Sequence, residues 1–396
     1  MYETLATLAP DPILGLIGSY RADENPDKVD LGAGVFRDAS GHTPIPAAVK
    51  IAEQRWLESE TTKGYLGQAG VAGFNDAIES FLFGADHPAR RDGRVRTVQT
   101  PGGSGALSVA AGLIRRTDPQ ARLLVSEPTW DNHVPLLSSA GLELARYRYY
   151  DYSGNALDFA GMCEALSAVP RGTPVLLHGC CHNPCGADLS PEQWDKVADI
   201  ALKTGFLPFI DIAYHGLALD PDQDAYGVRL LAERLPEILV AYSCSKNFGL
   251  YRDRCGAISV VGASARDADA ALSHVLSVAR AMYSMPPTHG PGIVLGVLED
   301  AELRDSWLAD LVAMRERLTA MRVGLSAALA ARSTDRDFGY IARQFGMFSF
   351  LGLDEQQVQQ LRERYSIYVV PSSRMSVTGL NAGNLDYVAD AIAAVL

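Results

Sequence analysis

The stretch Ile238-Leu239-Val240-Ala241-Tyr242-Ser243-Cys244-Ser245-Lys246-Asn247-Phe248-Gly249-Leu250-Tyr251-Arg252-Asp253-Arg254 begins as an apolar run and ends among hydroxyls, an amine and a guanidinium. A short, unbroken apolar run suits a strand covered on both faces, as in a parallel sheet. Lys246 then stands at the end of a buried strand. Desolvation there favours the uncharged amine, which attacks carbonyls. Ser243, Ser245 and Arg254 are the donors an anionic group needs, so the stretch reads as a place for a phosphorylated aldehyde. Lysine is also scarce. Only Lys28, Lys50, Lys63, Lys196, Lys203 and Lys246 occur among the 35 cationic side chains, and the other five lie in polar stretches.

Outward from this strand, apolar runs alternate with helical patterns. The runs predict strands at 95–100, 122–126, 142–149, 175–179, 207–211, 238–243 and 257–261. The intervening segments predict helices at 105–114, 132–140, 159–168, 191–204 and 228–235. Such alternation gives an α/β domain with a mostly parallel central sheet covered by helices. From about 264 the pattern turns helical, with one long amphipathic helix expected over 306–331. A strand at 347–351, a helix at 354–365, a strand at 367–370 and a terminal helix follow, read as a smaller α/β domain. The segment 1–43 is rich in turn formers and is expected to join other parts instead of folding alone.

The 396 residues suffice for two domains and a large core. Hydrophobic residues make up 47% and the net charge is −12, which fits a globular chain and disfavours a nucleic-acid partner. No apolar run has the length of a membrane span, and Met1-Tyr2-Glu3-Thr4-Leu5 lacks the features of a signal peptide. Six sparse cysteines, several at strand ends, suit reduced thiols in a cytoplasm.

Ligands of open α/β sheets bind at the carboxyl ends of the strands, and the polar candidates fall there. Pro101-Gly102-Gly103-Ser104-Gly105-Ala106 follows one strand and opens a helix, a start whose N–H groups suit a phosphate. Gly103 and Gly105, with Glu127 closing the next strand, also mimic a dinucleotide fingerprint. Ser108 stands in place of its third glycine. This is the basis of the alternative reading, an NAD-dependent dehydrogenase. Asp211 ends its strand, where a carboxylate can keep a pyridinium nitrogen protonated, and Tyr214 follows three residues on. His178-Gly179-Cys180-Cys181-His182-Asn183-Pro184-Cys185-Gly186 looks at first like a metal cluster. It lacks a second ligand pair at finger-like spacing and reads better as a rigid turn presenting Asn183. Trp130 follows the strand ending at Glu127 and offers a face to a flat ring, and His133 is placed to bond a buried carboxylate.

These pieces together resemble the class I aminotransferases, in particular the aspartate and aromatic aminotransferase subgroup. The matching motifs are Ser104-Gly105-Ala106, Trp130 with Asn132-His133, His182-Asn183-Pro184 with Gly186, Asp211 with Tyr214, Ser243 with Ser245-Lys246-Asn247-Phe248-Gly249-Leu250-Tyr251, and Arg254. Leu31-Gly32-Ala33-Gly34-Val35, Lys63-Gly64-Tyr65-Leu66-Gly67 and Ser373-Arg374-Met375-Ser376-Val377-Thr378-Gly379-Leu380 match as well, so the resemblance covers nearly the whole chain. It implies a fold-type I transferase dependent on pyridoxal 5′-phosphate. An N-terminal arm at 1–10, a small domain of 11–43 with 313–396 and a large cofactor domain of 44–312 would follow.

The resemblance also implies roles. Lys246 would form an aldimine with the cofactor and later move a proton. Asp211 would pair with the ring nitrogen, Asn183 and Tyr214 with the ring phenolate, and Trp130 would stack on the ring. Ser104, Gly105, Ala106, Ser243, Ser245 and Arg254 would hold the phosphate, and His133 would support Asp211. Arg374 would clamp the substrate α-carboxylate with help from Asn183 and Gly34. Tyr65 and Arg280 would reach in from the second subunit of a homodimer, Arg280 to grip a side-chain carboxylate. The implied reaction is ping-pong transfer of an amino group between L-aspartate and 2-oxoglutarate. Met285, five residues after Arg280, makes that end of the pocket more apolar, so tyrosine and phenylalanine are expected substrates too, with a primarily aromatic enzyme as the alternative. Asp131 and Ala106 depart from the residues common in the family.

Overall fold

A computed structural model of the chain describes residues 2–7, 12–332 and 336–396. Part of the expected N-terminal arm, at residues 1 and 8–10, lies outside the described residues. Two compact units are present, one formed by Pro44–Glu316 and the other by Met1–Thr43 with Arg317–Leu396. The boundary falls within the helix Ala301–Arg332.

The larger unit is built on seven strands: β1 (Val95–Pro101), β2 (Arg122–Glu127), β3 (Glu143–Arg148), β4 (Pro174–His178), β5 (Leu207–Ile212), β6 (Ile238–Ser243) and β7 (Cys255–Val261). Their order in the sheet is β1-β7-β6-β5-β4-β2-β3. Parallel pairing joins β3 to β2, β2 to β4, β4 to β5 and β5 to β6. Only β7 runs the other way, antiparallel to both β6 and β1. Every residue of β6 and β7 is buried, which explains why both read as unbroken apolar runs. The helix Gly102–Thr117 lays Ala106, Leu107, Ala110, Leu113 and Ile114 against Leu123, Val125, Leu176, Phe209 and Ile258 of the sheet. Burying that face removes apolar surface from water, the main force holding helix to sheet.

Reversal of β7 has a direct consequence for placement. The carboxyl ends of β1, β2, β4, β5 and β6 lie along one edge, and β7 starts from that same edge. Cys255 pairs with Pro101, and Gly256 with Ser243. Arg254 therefore arrives beside the end of β1 and the start of the helix after it.

In the smaller unit Val29–Asp30 pairs in parallel with Ile367–Tyr368, and Phe348–Phe350 pairs antiparallel with Arg374–Ser376. The segment expected to be turns contains the helix Pro12–Ala22. Gly15 and Gly18 give this stretch a weak local helix propensity, but Leu16 packs on Tyr368 and Val370, and tertiary burial outweighs it. The long helix runs over Ala301–Arg332, a turn longer at its start than the periodicity indicated. Among the described residues no helix is long and apolar enough to cross a membrane.

Candidate active site

A pocket opens at the shared strand edge of the larger unit. Its walls are Gly103, Ser104 and Leu107 after β1, Trp130 after β2, His178, Cys180 and Asn183 after β4, and Asp211, Ala213 and Tyr214 around the end of β5. Ser243, Ser245 and Lys246 after β6 and Arg254 before β7 complete it. Residues distant in sequence meet because parallel strands deliver their ends to one place.

One end of the pocket is a cradle of small groups. Gly102 adopts φ +73°, and a Cβ there would stand 2.6 Å from Arg254 Nη2. A Cβ on Gly103 would stand 3.0 Å from Ser243 Cβ. Glycine is needed because the helix start, Ser243 and the guanidinium close on each other with no room for a side chain. Ser243 Oγ donates to Ser245 Oγ at 3.1 Å, and Arg254 donates to Pro101 O at 3.3 Å. Gly105 and Ala106 do not line the pocket, and the Ala106 methyl is wholly buried in the core. That position can offer an anion only its backbone.

The other end carries Asp211, which is buried. His133 Nε2 lies 3.0 Å from Asp211 Oδ2, and His133 Nδ1 lies 2.8 Å from Thr129 Oγ1. The same hydroxyl lies 3.2 Å from His178 Nε2. Burial resists a charged Asp211, yet the hydrogen bond from His133 and the nearby Lys246 hold its carboxyl below the ordinary value. Burial pushes His178 down to about 3, with His133 adding to the effect, so its imidazole is neutral. His182, likewise driven well below its ordinary value by burial, stacks on Tyr149 at 4.1 Å and bonds Ser126 and Cys185. Both its ring nitrogens are thus engaged within the protein.

Lys246 sits between these ends. Its Nζ lies 4.8 Å from the centre of the Tyr214 ring. Burial lowers its pKa to about 8, with the Arg254 charge helping and the Asp211 carboxylate opposing. An amine in this state is half deprotonated near pH 8, so it reaches the neutral form that a nucleophile or proton carrier requires far more readily than an ordinary lysine.

Within the larger unit, Tyr65 and Arg280 are not among the residues that line this pocket. Tyr65 is 91% exposed, and Arg280 is exposed with its guanidinium bonded to Ser284. Arg374 and Gly34 belong to the smaller unit, where the Arg374 guanidinium lies 4.5 Å from the Phe348 ring and donates to Gly32 O at 3.0 Å. Sequence reasoning did not single out Thr129, and it treated His178 and Cys180 only as parts of an apparent metal cluster. His178 ends β4 in register with Asp211 on β5, so the strand-end rule applied to it was the available signal.

The model of the family "aminotransferase class I and II" matches residues 26–392. The chain is 44% identical over 396 residues to an aspartate aminotransferase of Escherichia coli, spanning 100% of both chains. It is also 44% identical to an aromatic-amino-acid aminotransferase of Paracoccus denitrificans, over 99% of each. Among solved structures it is similar to an aromatic-amino-acid aminotransferase of Burkholderia pseudomallei covalently bound to pyridoxal phosphate. That match has a TM-score of 0.98 and 43% identity, and covers 100% of this chain and 99% of the other.

Proposed function

The chain belongs to aminotransferase class I and II, and on that premise we propose that it transfers an amino group between L-aspartate and 2-oxoglutarate with pyridoxal 5′-phosphate. Tyrosine and phenylalanine are accepted as further donors. Relatives named for aspartate and for aromatic amino acids stand at the same identity, which supports the double range. The observation that carries the reading is the Lys246 amine, lowered to about 8 inside a pocket that has an anion cradle at one end and a buried carboxylate at the other.

The residues present fit the cofactor. The glycine turn with Ser104, Ser243, Ser245 and Arg254 suits a phosphate in its charge and its donors, and Gly105 and Ala106 are assigned to it through their backbone N–H groups alone. Trp130 offers a ring face, Asn183 and Tyr214 offer donors to a phenolate, and Asp211 offers a charge to a ring nitrogen. When bound, pyridoxal phosphate supplies an aldehyde for the amino group and a ring that accepts electrons from the α-carbon.

The protein's own groups do the rest. Asp211, kept ionised by its hydrogen bond with His133, would hold a proton on the ring nitrogen of the bound cofactor. Lys246 Nζ would take the proton from the substrate α-carbon and hand it back later in the transfer, acting as base and then as acid. Arg374 with Gly34 and Asn183 is assigned to the α-carboxylate, a bidentate task that suits a guanidinium. Tyr65 and Arg280, so exposed on a single chain, are assigned to the pocket of a second copy, Tyr65 toward the phosphate and Arg280 toward a side-chain carboxylate. The working unit is then a homodimer with shared sites. A cytoplasmic setting suits its six unbridged thiols.

The test uses purified protein with pyridoxal phosphate. Borohydride should fix the cofactor on the peptide carrying Lys246, and Lys246→Ala should lose transamination while keeping its circular dichroism. Full turnover by the variant refutes the assignment. The ratio of kcat/KM for aspartate against phenylalanine, with 2-oxoglutarate as acceptor, sets the range. A ratio far below one establishes the primarily aromatic alternative, which Met285 favours.

A further inference from the structure

Cys244 and Cys255 face one another where β6 and β7 leave the sheet. The register runs from Val261 opposite Ile238 to Gly256 opposite Ser243, so the next step sets Cys255 against Cys244. Cys244 N–H donates to Cys255 O at 3.0 Å, which continues the ladder by one rung. Directly opposed residues of an antiparallel pair project to the same face, which sets the two thiols side by side. Both are fully buried, and neither lines the pocket. The other four cysteines lie in the helix Phe159–Ser167 or in the turn after β4, none of them on paired strands.

This pair brackets the loop that carries the pocket's positive charge. Ser245 and Lys246 follow Cys244, and Arg254, held at φ +56°, precedes Cys255. A bond between the sulfurs would close a ring through residues 245–254 and tie the Lys246 end of the loop to its Arg254 end.

We propose that Cys244 and Cys255 form an oxidation site that closes to an intrachain disulfide and fixes the 245–254 loop, so that the pocket releases a phosphate-bearing cofactor more slowly. Hydrogen-bonded antiparallel partners have Cα atoms about 5.5 Å apart, inside the roughly 4.4–6.8 Å that a disulfide spans. The two Cβ atoms must draw together by about 1 Å for it to form, a local adjustment at the end of the strand pair. The oxidant is a hydroperoxide. One thiolate sulfur attacks a peroxide oxygen, the O–O bond breaks, and a sulfenic acid and one water result. The second sulfur then displaces hydroxide from the sulfenic sulfur, the S–S bond forms, and the hydroxide leaves as a second water with the thiol proton. Both sulfurs are oxidised and both peroxide oxygens reduced, so two thiols and one hydrogen peroxide give one disulfide and two waters. Burial first, then the Cys244 side chain, raises the Cys255 thiol well above its ordinary value. Cys255 thiolate is therefore scarce, and the bridge closes slowly under sustained oxidant.

The part concerning cofactor release rests on the function proposed above, whereas the bridge itself does not. Holoprotein is treated with hydrogen peroxide for hours and mapped without reductant. The expected result is one species joining the Cys244 and Cys255 peptides, lighter by two hydrogens and reopened by dithiothreitol. Release of pyridoxal phosphate into buffer with excess inorganic phosphate, followed by absorbance, should slow about fivefold in the bridged form, as expected for removing the mobility of a binding loop. Cys244→Ser should bind the cofactor normally and show no slowing. Sulfinic acids or other pairings in place of this bridge overturn the site. A bridged form that releases the cofactor as fast as the reduced one overturns its effect. The map reads the bridge whatever the pocket binds, so its failure leaves the aminotransferase assignment standing.

Discussion

Lys246 illustrates how a single residue is both a chemical asset and a structural cost. Its amine is brought to about 8 from 10.5, chiefly by burial. The folded value lies below the unfolded one, so between these limits the unfolded chain binds more proton and stability rises with pH. Below about pH 8 the full cost of holding the ammonium in the pocket is present. After allowance for water at the pocket mouth this cost is roughly 1–3 kcal/mol. Replacing the amine by an apolar chain of similar length removes it. Cofactor-free Lys246→Met should therefore be more stable than the parent at pH 7 by that amount in urea unfolding, with the gap narrowing from pH 8 to 10. A constant gap across that range would mean that the lysine is not titrating in the folded pocket. His178 sets a contrast, because its value near 3 leaves it neutral throughout, a fixed hydrogen-bond partner for Thr129.

At the scale of elements, the junction of β6 and β7 decides where Arg254 and Lys246 stand. Gly256 sits at the tightest point, and a Cβ there would lie 2.5 Å from Tyr242 O and 2.6 Å from Gly102 C. Both obstacles are backbone, so neither can swing aside. Gly256→Ala should cost about 3 kcal/mol in denaturant unfolding and weaken pyridoxal phosphate binding through the displaced helix start. A substitution tolerated without loss on either measure would show that the strands can spread. The strands themselves were legible from sequence because each is a short apolar run ending in polar residues, and Asp211, Asn183, Trp130 and Lys246 were legible as the residues just past those runs. The reversed direction of β7 was not, since Cys255–Val261 is buried on both faces and has the same apolar texture as its parallel neighbours. The pairing of Val29–Asp30 with Ile367–Tyr368 was hidden for a different reason. Two residues carry no periodicity, and only the folded chain brings such distant segments together. The Thr129 hydroxyl that joins His133 to His178 left no mark either, because a lone threonine has many ordinary uses.

For the whole molecule the question is what a single chain lacks. Its pocket contains a cradle, an amine and a carboxylate, yet Tyr65 and Arg280 are turned out to solvent on the same unit. If each serves the pocket of a second copy, every site takes Lys246 from one chain and Arg280 from the other. Two defective variants then complement. Lys246→Ala alone should be inactive. Arg280→Ala alone should lose aspartate turnover on the order of a hundredfold, the expected cost of leaving a substrate carboxylate without its partner, while phenylalanine turnover changes far less. Mixed, unfolded and refolded together in equal amounts, half of the dimers should be hybrids, each with one site that has both groups and one that has neither. Aspartate turnover should then recover to about a quarter of the parent's, a fraction fixed by closed two-fold symmetry and random pairing. Sedimentation of the same mixture checks that dimers have formed. Recovery that stays at the level of Arg280→Ala would place Lys246 and Arg280 in the same chain's site and remove the shared pocket, while leaving the cradle and the amine where they stand.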